Sequence, residues 1–182
     1  MSNKITDYHL FWQKYADGTL SPFSNFYKPS QKIKMRIGDH DYFFATTEHA
    51  FHAYKAILFD PSGAELQKII VSDNPQHVKN LGRKVKNFDP KVWDKKKYDI
   101  MVSVNLAKFT QFAGLKKRLL ETKEKHFAEA SPYDKIWGIG LREEDVNRRN
   151  IKPKDWKGQN LLGKALDQVR DMIRQEEKKI EY

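Results

Sequence analysis

TTEHAFHAYKAILF, residues 46–59, is the stretch from which the fold and the chemistry are both read. Its apolar positions recur at helical spacing, and either Thr46 or Thr47 can cap the first turn. At about 100° per residue, Glu48, His52 and Lys55 fall within one narrow sector. Ala50, Phe51, Ala53, Tyr54, Ile57 and Leu58 fill a broader one, which is the expected core face. The polar line lies beside that face, at the edge of the core. Glu48 sits in the first turn, where free N–H groups and the helix dipole favour a carboxylate. Lys55 lies about 10 Å further along the axis, with a side chain long enough to lean back toward Glu48. An amine held against apolar surface gives up its proton more easily and becomes a nucleophile toward carbonyls. Taken alone, the same spacing most resembles a solvated stripe with helix pairs. A metal site at Glu48, His49 and His52 is disfavoured, because His49 points at least about 60° away from the Glu48 line.

Working outward, helical punctuation dominates. DNPQHVKNLG has a polar cap, an early Pro and a closing Gly. In DPKVWDKKKYDIMVSVNLAKFTQFAG, Asp89 caps, Pro90 takes the first turn, and Gly114 is the expected stop. Val102, Leu106 and Phe109 form its apolar stripe. DPSGAELQKIIVS reads as a turn and a short helix. LKKRLLETKEKHF reads as helix followed by a brief extended segment. The last helix starts near Asn160, with Leu162, Leu166, Val169 and Ile173 on one stripe and a charged tail expected to fray. KIKMRIGDHDYFF alternates at Ile33, Met35 and Ile37 and turns at Gly38-Asp39, a short β-hairpin. The N-terminal segment reads as irregular. The expected fold is mainly α, with a small β-hairpin or short antiparallel sheet, in a single domain over residues 1–182 whose core spans about 21–175.

The 182 residues are 39% hydrophobic and 13% aromatic, a globular composition able to bury a core. Cysteine is absent, which excludes disulfides and thiolate metal ligands. The N-terminus lacks a secretory signal, and no apolar run approaches a bilayer's thickness, so a cytoplasmic protein is expected. The formal charge of +10 favours anionic partners, nucleic acid or phosphorylated small molecules alike. Basic residues are densest in KNLGRKVKNFDPKVWDKKK, residues 79–97. That run is either a binding surface or a solvated face.

Three further motifs bear on a site. SPFSNFY combines hydroxyls, the amide of Asn25 and aromatics. Ser24, Asn25 and Phe26 could stack a base and bond its edge, or the aromatics could plug the core. In SPYDKIWGIG, Asp134 is placed to cap a turn. Trp137 beside Gly138 and Gly140 lets backbone approach a planar ligand. Arg83 in NLGR and Lys108 in NLAKF could each hold phosphate. Trp93 is a core anchor or a stacking wall.

These segments, in this order from about Ser21 to Arg170, resemble the NADAR family, also called YbiA-like. The matching pieces are SPFSNFY, TTEHAFHAYKA, NLGR, NLAKF, LLET, SPYDKIWGIG and NLLGKALDQVR. The resemblance implies a mainly helical fold and N-glycosidase chemistry. It implies one of two substrates: phosphorylated riboflavin-pathway intermediates, or ADP-ribosylated guanine in nucleic acid. By motif position the family's acid falls on Glu48, its imine-forming lysine on Lys55, and its later aspartate and tryptophan on Asp134 and Trp137. His52 stands where the family often has Gln. On this resemblance Glu48, Lys55 and Asp134 are the expected catalytic residues. Ser24, Asn25, Phe26, His52, Arg83, Trp93, Lys108, Trp137 and Gly138 are the expected binding residues. No metal or organic cofactor is required by such chemistry. The expected partner is ADP-ribosylated nucleic acid or a phosphorylated ribosyl-pyrimidine. A non-catalytic ADP-ribose or nucleic-acid binding module is the rival, and pure binding needs no nucleophile.

Overall fold

A computed structural model describes residues 5–14 and 18–180 of the chain. They gather into two compact units, one of residues 25–112 and one of the residues up to Ser24 together with those from Ala113 onward.

In the first of these, β2 (Ile33–Ile37) and β3 (His40–Phe44) form the expected antiparallel hairpin, paired from Ile33↔Phe44 to Ile37↔His40. The two-residue turn is Gly38-Asp39, with Gly38 at φ 59°. Helix α1 (Thr47–Phe59) starts where the Thr46 hydroxyl accepts the His49 N–H. The Asn25 carbonyl accepts the Glu48 N–H at 3.0 Å. α1 is packed by α2 (Ala64–Val71), α3 (Pro75–Gly82), α4 (Pro90–Gln111) and β3. The first two turns of a helix so surrounded are buried on every face, and Thr47 through Ala53 are all buried. The expected one-sided core face is therefore wrong at its far end. Leu58 is exposed, while Tyr54 and Ile57 are half-buried.

Helices α3 and α4 begin as expected. The Asn74 carboxamide accepts the N–H groups of Gln76 and His77, and the Asp89 carboxylate those of Lys91 and Val92. Each has Pro in its first turn. α4 stops at Gln111 rather than at Gly114, which lies inside α5 (Ala113–Glu121). The stop is tertiary. The Gln111 carboxamide accepts the Lys34 N–H at 2.9 Å and donates to the Lys34 carbonyl at 2.7 Å, pairing the helix end with the edge of β2.

In the second unit the N-terminal segment is not irregular throughout. Strand β1 (Tyr8–Phe11) pairs in parallel with β4 (His126–Glu129), from Tyr8↔His126 to Phe11↔Glu129. Four residues are too few to announce a strand by alternation, and the partner lies far along the chain. α5 ends at Glu121, earlier than its sequence pattern suggests. Lys123 then takes a positive φ of 52° and turns the chain into β4. After α6 (Glu143–Arg149), α7 (Leu161–Ile180) buries Leu162, Leu166, Val169 and Ile173, as expected. Its charged tail stays helical to Ile180 instead of fraying; the final two residues of that tail lie outside the described residues.

Asn160 joins α7 to β4. Its side chain accepts the Glu129 N–H at 3.0 Å and donates to the Phe127 carbonyl at 2.9 Å, while its backbone takes φ 54°. Asn160→Ala leaves both strand groups unpaired and strains the left-handed backbone. It is expected to cost roughly 2–4 kcal/mol in urea unfolding. Asn160→Gly loses the same bonds but tolerates the φ, so it should be less damaging by about 1 kcal/mol. Equal losses would show that the backbone conformation carries no strain.

Candidate active site

The polar line of α1 is not a solvated stripe. Glu48 is only 6% exposed and His52 only 9%. The His52 Nε2–H donates to the Glu48 carboxylate at 3.0 Å, one helical turn away. The other ring nitrogen, Nδ1, faces α3, and that buried atom has no hydrogen-bond partner among the described residues. Gly82 is what it meets. A Cβ built on Gly82 would overlap Nδ1 and lie 2.6 Å from the ring Cγ. Only glycine permits this approach of α3 to α1. The Gly82 carbonyl also accepts a hydrogen bond from the Lys55 ammonium at 2.8 Å. One residue thus packs on the imidazole and holds the amine.

Lys55 does not lean back to Glu48. Its Nζ lies 4.0 Å from the centre of the Phe88 ring and 5.6 Å from that of Trp93. Trp93 in turn packs on Phe51 at 5.1 Å, so it is core anchor and wall of the amine's cage at once. Partial burial pulls the Lys55 pKa below its ordinary value. The cage resists this by cation–π attraction, worth about 0.5–2 kcal/mol. Arg83 follows Gly82 directly and is exposed.

Asn25 is engaged by the protein itself. Its Oδ1 accepts from Thr47 at 3.0 Å and from Asn105 at 3.4 Å, and its Nδ2 donates to the Met101 sulfur at 3.3 Å. With its carbonyl on the Glu48 N–H, it braces the first turn of α1 against α4. Phe26 is half-buried in the same unit. His49 has both nitrogens engaged, which leaves no lone pair for a metal. Nε2–H donates to the Ser72 carbonyl at 2.9 Å, so Nδ1 accepts from the Thr46 hydroxyl at 2.8 Å. Burial lowers its pKa, consistent with this neutral ring. Among the described residues no cluster of His, Asp and Glu could hold a metal ion.

Lys108 is not a surface phosphate anchor. It is wholly buried, with Nζ 5.5 Å from the Tyr27 ring centre, and desolvation lowers its pKa to about 7.

The remaining expected residues lie in the other unit. The Asp134 carboxylate accepts the N–H groups of Ile136 and Trp137 at 2.9 and 2.8 Å, the turn-holding role its position suggests. Gly138 is required by the protein's own packing. A Cβ there would come 2.9 Å from the Glu129 carbonyl. The carbonyls of Lys135, Ile136, Trp137 and Gly138 accept the N–H groups of Gln159, Leu161, Leu162 and Asn160. The motif is sewn onto the start of α7 and satisfies donors that a helix N-terminus leaves open. Trp137 is half-buried, and Ser24 is buried at 3% exposure.

The NADAR domain model matches residues 10–174, which takes in both the α1 residues Glu48 and Lys55 and the SPYDKIWGIG motif. The chain belongs to the NADAR domain family. It is 44% identical over 128 residues to an N-glycosidase of Acanthamoeba polyphaga mimivirus, covering 70% of this chain and 74% of that protein. It is 30% identical to an N-glycosidase of Nostoc punctiforme, covering 92% of this chain and 91% of that one. The NMR structure of the E. coli protein YbiA superposes with a TM-score of 0.69 at 25% identity, covering 97% of this chain and 89% of that one. The helical fold is the YbiA-like one, and this NADAR chain stands among N-glycosidases.

Sequence reasoning missed Gly82 and Phe88. Gly82 read as a helix stop. Its nearness to His52 depends on how α3 packs against α1, which no local pattern encodes.

Gly82→Ala should displace the His52 ring and the Lys55 contact together, lowering stability by about 1–3 kcal/mol. Gly114→Ala, where a Cβ would meet nothing within 4 Å in α5, should stabilise by about 0.5–1 kcal/mol. Thermal melts of the two variants provide the check.

Lys108 predicts a pH dependence. Its folded pKa of about 7 lies below the unfolded value of 10.5, so between these the unfolded chain binds more protons. Stability should rise with pH across that window, by at most about 1.4 kcal/mol per unit from this group. Lys55, shifted the same way, adds to the rise. Urea titrations at several pH values should show a shallower rise in Lys108→Met.

Proposed function

We propose that this chain is an N-glycosidase that removes ADP-ribose from ADP-ribosylated guanine in nucleic acid, with Lys55 as covalent nucleophile and Glu48 as acid/base. The observation that carries the reading is the α1–α3 arrangement: a buried carboxylate on His52, and an amine of lowered pKa, half-buried, on the Gly82 carbonyl. In the proposed route Glu48 protonates the ribose ring oxygen as the C1′–O4′ bond breaks, and the lone pair of the guanine nitrogen completes an iminium at C1′. The neutral Lys55 amine adds to C1′ and passes a proton to Glu48; the C1′–N bond to guanine then breaks, the base leaves with that proton from Glu48, and C1′ remains on Lys55 as an imine. Water then adds to the Lys55 imine, frees the amine, and leaves its oxygen on C1′. The net charge of +10 supports a polyanionic substrate.

Borohydride added during turnover should trap a mass adduct on Lys55, absent from Lys55→Ala. No adduct in the wild type, or the same adduct in Lys55→Ala, removes the imine step. Glu48→Gln keeps an acceptor for His52 and should lose roughly 10²–10⁴-fold in turnover. Asp134→Asn keeps the acceptor that holds its turn and removes the charge, so its turnover reads the carboxylate alone. A parallel assay on a phosphoribosylamino-pyrimidine decides the substrate, since preferential release there would transfer the activity to riboflavin intermediates.

A further inference from the structure

Between Lys79 and Lys97 the chain carries eight cationic side chains against two aspartates. Neither aspartate neutralises the surface. Asp89 is committed to capping α4, and Asp94 is paired with Lys97 at 2.6 Å. Arg83, Lys84, Lys86, Lys91, Lys95 and Lys96 are all exposed, and among the described residues none has a carboxylate partner. Lys28, Lys34 and Lys68, in the same unit, differ. Lys34 lies 2.8 Å from Asp41, Lys28 lies 3.7 Å from Asp73, and Lys68 lies 3.9 Å from Glu65. Lys32 and Arg36 are exposed without a carboxylate partner as well, but they stand apart from one another, whereas the 79–97 run gathers six such cations on one continuous stretch.

The run is also continuous with the site. Gly82, which holds the Lys55 amine, is followed by Arg83, and Phe88, over which that amine sits, lies in the middle of the run. Phe88 is 41% exposed, an aromatic face among unpaired cations. Aromatic rings interleaved with unpaired cations suit a single strand, whose bases stack while its phosphates are neutralised.

We infer that the ridge from the end of α3 through the first turns of α4 binds the sugar–phosphate backbone of a polynucleotide beside the Lys55 cage. This rests on the proposed N-glycosidase function only for its effect on turnover; binding is measured separately. The site then acts on a base borne by a polymer in preference to a free nucleotide.

The test uses the full chain and a fluorescent single-stranded oligonucleotide of mixed sequence. Wild-type affinity should fall with salt with a log–log slope of about −3 to −4, as for four to six neutralised phosphates. K91Q/K95Q/K96Q should reduce that slope by about 2. K28Q/K34Q/K68Q removes as many positive charges from the same unit and should leave the slope within about 0.5 of wild type. Circular dichroism melts check that both triples remain folded. Equal slopes in wild type and the ridge triple, or an equal loss in both triples, overturn the inference. On ADP-ribosylated substrates, the ratio of kcat/KM for an oligonucleotide to that for a modified dinucleotide should drop about tenfold in the ridge triple. If neither substrate is cleaved by wild type, the N-glycosidase proposal fails while the salt slopes still decide the ridge.

Discussion

Gly82 presses its α-carbon against the His52 ring and offers its carbonyl to Lys55. Both contacts depend on α3 approaching α1 more closely than any side chain at that position would allow. The approach seals the Nδ1 edge of His52 from water and turns the opposite nitrogen to Glu48. It also fixes the amine away from the acid, so the two are linked through an imidazole and a backbone rather than by an ion pair. A direct pair would have quenched both groups. The spacing of a full helical turn between each, with a histidine interposed, keeps a carboxylate and an amine in one unit without neutralising either.

Burying such groups is costly unless each finds partners. Asn25 supplies much of the compensation without touching the charges. Its carbonyl satisfies the Glu48 N–H and its amide ties Thr47 to Asn105. Lys108, one turn beyond Asn105 on α4, adds a second buried amine to the same unit. A core built for stability alone would place leucine or methionine at such positions. Departures of this kind from apolar packing concentrate at functional sites.

Much of the fold was legible because it is local. Caps at Thr46, Asn74 and Asp89, the Gly38-Asp39 turn and the α7 stripe each follow from residues within a turn or two of one another. Strand β1 and the end of α4 were not legible, because both are set by partners distant in sequence, β4 and the edge of β2. The site divides the same way. The alignment of Glu48, His52 and Lys55 follows from the helical period, but their burial does not. A period places side chains in one sector; it does not say how many neighbours surround that sector. The solvated stripe was the natural reading for an isolated helix, and four packed elements around α1 reverse it. Asn25, Lys108 and Gly138 were named for polar or permissive chemistry that the structure spends largely on holding itself together.

The cage around Lys55 pulls in two directions, and that bears on the proposed chemistry. A charge-assisted bond to the Gly82 carbonyl, worth about 1.5–3 kcal/mol, and the Phe88 ring both favour the ammonium. Burial favours the free amine, and the net direction is a lowered pKa. The cation is therefore held by the Gly82 carbonyl and the Phe88 ring. A substrate ring entering against Phe88 would displace the ammonium from its aromatic wall and remove more water around it. Both changes weaken the cation and leave desolvation unopposed. In the proposed reaction the arrival of the target thus removes the contacts that favour the ammonium, and the amine is freed where an aldehyde-level carbon is waiting.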